Sequence, residues 1–465
     1  MGHHMLRAAA LMAVAPAPAM AQAPSIADLQ RQIDELKAVI AEMKAARTAV
    51  AAAPSPPVAS PVAPAPTPAQ VAQVSVPAPA TPPKKEAWYD RLTLRGYTQL
   101  RFSEFLSGDR TAPAGVSRLR SVHDSGIGDG TNLTLRRVRL VLQGDISDDV
   151  SLYLQPDFAT NVSNQTAGER REGFGQLRDA YVDAFLDDAH RFRLRFGQSK
   201  VPYGWENMQS SSNRLTLDRS DAINSAVPGE RDLGIVAYYT PTRVDRVWKR
   251  LADDGQKLFG NYGAFALALY NGQGINRTET NDSLMTVAMA TWPFELDALG
   301  DGFAGQVLEV GAAGLRNRIN PELGSGGTSD VSFADERFGI HAILYPQPLG
   351  FQAEWNWGRG PEYDRAQGRI VTGPLNGGYV QSMLRLPGSK LMPYGRWQHY
   401  RGGWKALPDA PRLETDEFEI GLEWQPVPPL ELTVAFARMH RLEADPDREG
   451  RAEGNLIRTQ LQWNY

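Results

Sequence analysis

Basic and apolar side chains alternate in the stretch from residue 191 to residue 196. The six residues are Arg191, Phe192, Arg193, Leu194, Arg195 and Phe196. In a β-strand, this order places three guanidinium groups on one face and three apolar side chains on the other. Guanidinium groups stay charged and bind oxyanions through two parallel N–H donors. An apolar face opposite a charged face is typical of a barrel wall between lipid and a water-filled lumen.

A long polar segment follows this stretch. Residues 197–230 contain repeated Gly, Pro, Ser and Asn and are too long for a hairpin turn. They also carry three further cations, Lys200, Arg214 and Arg219. A wall strand followed by such a segment predicts a loop that folds into the lumen and narrows it.

The composition excludes several other classes of protein. The chain has 465 residues, no cysteine and a formal net charge of -4. It contains no run of 18 uncharged apolar residues, which excludes a helical membrane protein, and its charge carries no signature of nucleic-acid binding. The absence of cysteine excludes disulfides and thiolate metal sites. Because the histidines lie far apart in the sequence, we expect no catalytic residue, metal or cofactor.

The N-terminal part divides into three predicted segments. Residues 1–23 are predicted to be a tag remnant and a signal peptide that ends in a small-residue cleavage site. Residues 24–50 contain a short heptad pattern and predict a periplasmic coiled coil, which favours a parallel dimer; a single amphipathic helix is the alternative. Residues 51–87, rich in Ala and Pro, predict a semi-extended linker.

From residue 88 to residue 465 the hydrophobic pattern has a period of two. About sixteen such segments begin near residues 91, 133, 149, 176, 190, 231, 261, 283, 306, 336, 349, 375, 390, 416, 430 and 455. An even number of strands of this length predicts an all-β transmembrane barrel with about 16 antiparallel strands in the bacterial outer membrane. The aromatic ring of Tyr465, at the end of the last strand, is expected at the membrane interface.

Short and long connections alternate along the predicted strands. The short turns are 144–149, 187–189, 346–348, 386–389 and 426–429, and the long loops are 103–130, 159–173, 197–230, 316–332, 358–373 and 401–415. Short periplasmic turns opposite long external loops are typical of outer-membrane barrels. The connection 241–258 departs from this pattern, because it is long and charged where a short turn is expected.

An ordered series of motifs in this region resembles the phosphate-selective porins O and P of Gram-negative outer membranes. The motifs lie at residues 135–140, 177–182, 196–198, 204–206, 210–211 and 217–219. The resemblance implies a trimeric porin of sixteen strands whose third loop enters the lumen. It also implies an arginine-lined path to a constriction where an anion loses part of its hydration.

Two sets of residues follow as candidates for the pore. The resemblance assigns a constriction to Arg136, Arg137, Asp179, Ser210, Ser211 and Arg219. The charge pattern predicts that the lumen is also lined by Arg95, Arg101, Arg139, Arg191, Arg193, Arg195, Lys200 and Arg214. The sequence departs from the family at three positions, with Asn207 and Ser212 where the loop carries lysines and Tyr97 where the first strand carries an arginine.

These residues predict a passive diffusion channel for small hydrophilic solutes that prefers anions, phosphate-type anions among them. An alternative role for the arginines is to hold the inward loop through Glu206, Asp218 or Asp221. Two alternative functions stay open. A sugar-translocating porin would need an aromatic track through the lumen, and an envelope tether would use the coiled coil to contact the cell wall or a periplasmic partner.

Overall fold

The computed structural model describes most of the chain from residue 87 onward. The described residues are 87–109, 119, 127, 130–162, 171–227, 229–260, 262–444, 446 and 449–465, with backbone alone at 160–162 and 171–174. The predicted signal peptide, the predicted coiled coil and all but the last residue of the predicted linker lie outside these residues.

Sixteen strands form a closed antiparallel barrel. Each strand pairs with the strands before and after it in the sequence, and β1 pairs with β16 to close the ring. The strands are β1 Leu92–Gly108, β2 Asn132–Ser147, β3 Val150–Val162, β4 Arg171–Phe185, β5 Phe192–Lys200, β6 Arg231–Tyr239, β7 Phe265–Tyr270, β8 Met285–Glu295, β9 Val307–Ile319, β10 Phe333–Leu344, β11 Leu349–Asp364, β12 Arg369–Leu384, β13 Leu391–Gly403, β14 Arg412–Val427, β15 Leu430–Ala444 and β16 Glu449–Asn464. The prediction of a sixteen-stranded barrel is confirmed.

Short helices lie between some of the strands. They are α1 Trp205–Met208, α2 Asp221–Asn224 and α3 Thr242–Asp253, with single 3-10 turns at Trp88–Arg91, Asp297–Leu299 and Asp301–Phe303. In the part of the chain that is described, none of these helices has the length and apolar character needed to cross a membrane.

The polarity of the barrel is inverted relative to a soluble protein. In β14, Phe418 and Ile420 point outward and are 59% and 69% exposed, while Glu417, Glu419 and Glu423 point inward and are buried. This alternation follows from the period-two pattern, because successive side chains of a strand lie on opposite faces. The outer surface is therefore apolar and the lumen is charged.

A β-bulge in β2 turns two consecutive arginines toward the lumen. Gln99 pairs with Arg137 and Leu100 with Leu135, so Arg136 is an extra residue between two pairs. An extra residue reverses the alternation of the strand beyond it. Arg136 and Arg137 therefore both face inward, which regular alternation would forbid.

One rim of the barrel carries short turns, as predicted. At the other rim, the strands extend into the segments that were predicted to be long loops. The predicted long loop 358–373 is wrong, because β11 and β12 stay paired from Gly358–Leu375 to Asp364–Arg369. Its polar residues form a hairpin that continues past the apolar belt, so polarity was mistaken for a loop. The other predicted loops on this rim are also shortened by strand extensions. We call the opposite edge, with the turns at 148–149 and 428–429, the short-turn rim.

The barrel closes where the last residue meets the first strand. Tyr465 N donates to Gly96 O at 3.0 Å, and Gly96 N donates to Tyr465 O at 2.6 Å. A Cβ on Gly96 would lie 2.5 Å from the Tyr465 ring. Glycine is thus required at this point, because the aromatic ring lies directly over its backbone.

Candidate functional site

Residues 201–230, which we call loop L3, lie inside the barrel. All eight residues of α1 and α2 are buried. The Glu354 carboxylate of β11 accepts the backbone N–H groups of Trp205 at 2.7 Å and Glu206 at 2.6 Å, and the Asp221 N–H donates to Gln398 of β13 at 3.0 Å. Since L3 starts from β5, these contacts carry it across the lumen. The predicted inward third loop is confirmed.

Asp218 is the first charged anchor of L3. Arg101 donates to both carboxylate oxygens at 3.0 Å, Arg458 donates to Oδ2, and Arg136 Nη2 lies 3.7 Å from Oδ1. Burial would raise the pKa of Asp218, but the positive charges of Arg101 and Arg458 hold it well below its usual range. Asp218 therefore stays ionised and joins three arginines of the wall.

Two further arginines of the wall, on β13 and β15 near the strands that hold Asp218, bind other loop carboxylates. Arg396 of β13 donates to both oxygens of Glu206, at 2.8 and 3.2 Å. Arg441 of β15 donates to Asp221 at 2.6 Å. Together with Asp218, these pairs engage all three acidic residues that the sequence offered as loop anchors. The anchoring role of lumen arginines is thus present in the structure.

Glu230, at the end of L3, binds three cations. Lys200 Nζ lies 2.7 Å from its carboxylate, Arg231 Nη1 lies 3.1 Å from it, and Arg219 forms a third ion pair. Lys200 also donates to the backbone carbonyls of Asn207 and Gln209, at 2.9 and 2.7 Å. Lys200 therefore holds the loop in addition to lining the lumen.

The predicted constriction acid Asp179 binds Arg231, whose Nε donates to it at 2.8 Å. Arg139 of β2 donates to Asp157 at 2.7 Å and to Ser211 at 3.1 Å. Asp179 and Ser211 thus face the lumen beside arginines, but each is engaged with a cation that belongs to the wall.

The alternating arginines of the β5 region separate into two environments. Arg195 donates two hydrogen bonds to Asp183 at 2.7 and 2.8 Å, and Arg193 lies 3.4 Å from the same carboxylate. Arg191 precedes the strand and donates to Asp187 at 2.8 Å in the turn. The prediction that Arg191 lines the lumen wall is wrong in position, because β5 starts one residue later and this side chain is exposed at the rim.

The remaining predicted residues have few polar contacts. Arg137 donates to Gln99 at 2.7 Å, Arg95 donates to Gln143 at 3.1 Å, and Ser210 shares a hydrogen bond of 2.8 Å with Ser212. Arg214 is buried, and among the described residues it has no hydrogen-bond or ion-pair partner. It is the cation of L3 that no described carboxylate neutralises directly.

The guanidinium groups around Arg214 lie close enough to influence one another. The pKa of Arg219 is lowered well below its usual range, first by burial and then by the positive charges of Arg214 and Arg137, even though Glu230 contacts it. Glu206 and Asp218 are also near Arg214, but other arginines already bind both carboxylates. Arg137, Arg214 and Arg219 thus form a group of mutually repelling cations, of which Glu230 neutralises Arg219 in part.

Several lumen residues that hold the loop were missed from the sequence. They are Glu230, Arg231, Glu354, Arg396, Arg441 and Arg458. Most lie at inward positions of the alternating pattern, where a polar residue stands between apolar outward ones. That signal was available, but it does not say which inward residue meets the loop.

A large cavity lies beside L3 toward the short-turn rim. A cavity of about 800 Å³ is bounded by strands β1 to β5 and by the tip of L3, and it includes Arg95, Arg139, Ser210 and Ser211. On the other side, apolar residues of L3 such as Trp205 and Met208 pack against inward apolar residues of β6 to β10. Within the described ranges, no group of three or more His, Asp or Glu side chains could hold a metal ion.

A closed sixteen-stranded barrel with an apolar outside, a charged lumen and a loop across it defines an outer-membrane porin, a passive diffusion channel. The chain belongs to the phosphate-selective porin O and P family, whose profile matches residues 113–465. This is the family that the ordered motifs resembled. A comparison with curated protein sequences finds no match.

Solved structures of other outer-membrane channels are similar to this chain at low identity. The channel DcaP of Acinetobacter baumannii is 13% identical, with a TM-score of 0.48 over 80% of this chain and 97% of that chain. An anion-selective porin from Comamonas acidovorans is 11% identical, with a TM-score of 0.44 over 80% and 99%. OmpF of Salmonella typhi is 12% identical, with a TM-score of 0.48 over 80% and 97%.

Proposed function

We propose that this porin prefers small anions, phosphate-type anions among them. The observation that carries the proposal is the cluster of Arg137, Arg214 and Arg219, in which Arg214 has no described anionic partner. A guanidinium group that no carboxylate neutralises attracts an anion that passes L3, and its N–H donors replace part of the hydration of that anion. The family's loop lysines are replaced here by Asn207 and Ser212, so Arg214 takes over their role as the loop cation.

A sugar pathway has less support from the lumen. Two tyrosines hold L3: Tyr203 of the loop donates to Asn356 at 2.5 Å, and Tyr379 of β12 donates to Glu354 at 2.7 Å. Both rings are fully buried, so they offer no face on which a sugar could stack. Of the tyrosines that border the cavity beside L3, Tyr153 and Tyr181 stack on each other with their centroids 5.0 Å apart, and the Arg195 guanidinium covers the Tyr181 ring at 3.7 Å. The anion pathway is therefore the better match to the side chains that border the cavity.

The charge of Arg214 provides the direct test. In a planar bilayer under a KCl gradient, Arg214→Gln is expected to lower the anion-to-cation permeability ratio about fivefold, since one unit charge at short range contributes about 1 kcal/mol even in water. Added phosphate should reduce the chloride current of the original protein more than that of the variant. The control is Arg316→Gln, whose side chain is 82% exposed. An unselective original protein, or equal reversal potentials for Arg214→Gln and the original protein, would remove the anion proposal.

We also propose that three copies assemble and that residues 24–50 form a coiled coil in the periplasm, joined to the barrel by residues 51–87. The heptad pattern supports a contact between copies, and the short seam requires that the barrels already hold the helices together. Sedimentation of the detergent-solubilised protein gives the number of copies. A monomer would contradict the assembly.

A further inference from the structure

The connection between β6 and β7 is a second segment that enters the lumen. It contains α3, whose residues Val244, Val247 and Leu251 are buried, while Arg243 and Lys249 are 65% and 74% exposed. Val247 and Leu251 pack with the inward apolar residues of β6 to β10. The helix thus lies over one side of the short-turn rim with its apolar face toward the barrel.

Residues 254–260, which we call the cross-lumen segment, continue from α3 to the far wall. Lys257 Nζ lies 3.1 Å from Glu423 of β14 and 3.6 Å from Glu431 of β15. Strands β7 and β14 are seven positions apart in a ring of sixteen, so they lie almost opposite each other. Both carboxylates point into the lumen near the short-turn rim. Asp254 O accepts from Arg385, beyond the end of β12, so the chain crosses most of the diameter of the barrel between Lys257 and the start of β7.

The cross-lumen segment is also joined to loop L3. Asn213 Nδ2 donates to the Leu258 carbonyl at 2.8 Å, and Gln209 Nε2 donates to the Lys257 carbonyl at 3.2 Å. The Phe259 ring lies 6.0 Å from that of Trp205. Because both segments cross the lumen and share these contacts, a displacement of one removes support from the other.

The segment divides the lumen below L3 into two unequal parts. Between L3, the segment and strands β10 to β13 lies a small cavity of about 20 Å³, bordered by Trp205, Gln256 and Tyr345. On the side of β1 to β5, the cavity of about 800 Å³ is bordered by Phe259 and Tyr262. The open side is the one lined by arginines.

We propose that the cross-lumen segment is a second constriction of this porin, in addition to L3, and that the ion pairs of Lys257 hold it in place. It confines solutes to the arginine-lined side and sets the size limit at the short-turn rim. The proposal concerns pore width, so it does not depend on the preference for anions.

The first test is the single-channel conductance of Lys257→Met. Without its ammonium group, Glu423 and Glu431 are left as neighbouring buried carboxylates, which repel each other and release the segment. The conductance is expected to rise about twofold, because the wall-to-wall obstruction below L3 is removed. Proteoliposomes should also admit a neutral trisaccharide faster relative to a monosaccharide. The matched control is Lys249→Met, which changes an exposed lysine of the same connection.

A triple variant guards against misfolding. The combination of Lys257→Met, Glu423→Gln and Glu431→Gln removes the ion pairs of Lys257 without leaving a buried charge. It should show the same wider pore. A conductance and a sugar size limit equal to those of the original protein in both folded variants would overturn the proposal. If the reversal potential still favours anions in that case, the anion proposal survives by itself.

A cysteine variant tests the position of Lys257 independently. The chain has no cysteine, so Lys257→Cys introduces a single thiol. Like Lys257→Met, this variant should show the higher conductance, and an aminoethyl thiosulfonate reagent, which attaches an ammonium group to the thiol, is expected to lower it again by restoring the ion pairs with Glu423 and Glu431. The same reagent should leave the current through Lys249→Cys unchanged. A current through Lys257→Cys that does not respond to the reagent would place the segment outside the conduction path and contradict the proposal.

Discussion

Replacing Asp218 with Asn is expected to loosen loop L3 more than any other single change. The carboxylate lies between Arg101, Arg136 and Arg458, and the side chains of Arg101 and Arg458 are 1% exposed. Loss of one partner from a buried ion pair costs about 3–5 kcal/mol, because the remaining charge stays desolvated. An amide keeps one acceptor oxygen, so we expect the lower end of this range.

Hydrogen exchange of the L3 amides measures this effect locally. If the opening free energy of L3 falls by about 3 kcal/mol, amides between α1 and α2 should exchange about a hundredfold faster. Single-channel records should become noisier, since the loop then samples several positions. Asp148→Asn is the control, because its carboxylate is 93% exposed and binds Arg91 at the short-turn rim. Unchanged protection of L3 in Asp218→Asn would show that the remaining anchors suffice.

The architecture was largely predictable because a barrel wall imposes a strict alternation on its sequence. In β14, Phe418 and Ile420 face outward and must be apolar, whereas Glu417 faces the lumen and must be polar. No other fold requires this alternation over sixteen segments. Strand ends were harder to place. The predicted start of β12 near 375 lies six residues inside the observed start at Arg369, because a hairpin beyond the membrane has no apolar face to reveal it.

The bulge in β2 shows a local signal that alternation alone does not interpret. Leu135 and Val138 both face outward, although they are three residues apart, so the period of two is interrupted at Arg136 and Arg137. A one-residue interruption of this kind can be read from the sequence. Which of the two arginines then meets L3 depends on loop geometry, and that geometry depends on contacts distant in sequence.

The candidate site was predictable by residue type but not by pairing. The sequence indicated that arginines line the lumen, and Arg139 and Arg195 do so. It did not show that Arg139 binds Asp157 or that Arg195 binds Asp183, because these partners lie on other strands. Of the two roles weighed for lumen arginines, loop anchoring occurs at Arg101, Arg396 and Arg441, and the anion attraction that we propose belongs to other residues. Whether an arginine attracts solute depends on how far carboxylates already neutralise it.

Because carboxylates neutralise part of the positive charge in the lumen, we expect Glu230→Gln to change the anion selectivity in the opposite direction to Arg214→Gln. Glu230 is buried and neutralises part of the charge of Lys200, Arg219 and Arg231. With Gln at this position the three cations remain and the negative charge is lost, so the constriction gains one unit of positive charge. A unit charge at short range contributes about 1 kcal/mol even in water, so the anion-to-cation permeability ratio should rise about fivefold.

The same variant separates charge from loop position. A lumen that merely loosened would conduct more of both ions and lose selectivity, whereas added positive charge raises selectivity and strengthens the block by phosphate. The reversal potential under a KCl gradient, measured with and without phosphate, distinguishes these outcomes. Glu336→Gln is the control, because this half-buried carboxylate binds Arg359 at 2.7 Å near the other rim and away from L3. A fall in anion preference for Glu230→Gln would mean that Arg219 serves only to hold the loop, and the positive cluster would then reduce to Arg137 and Arg214.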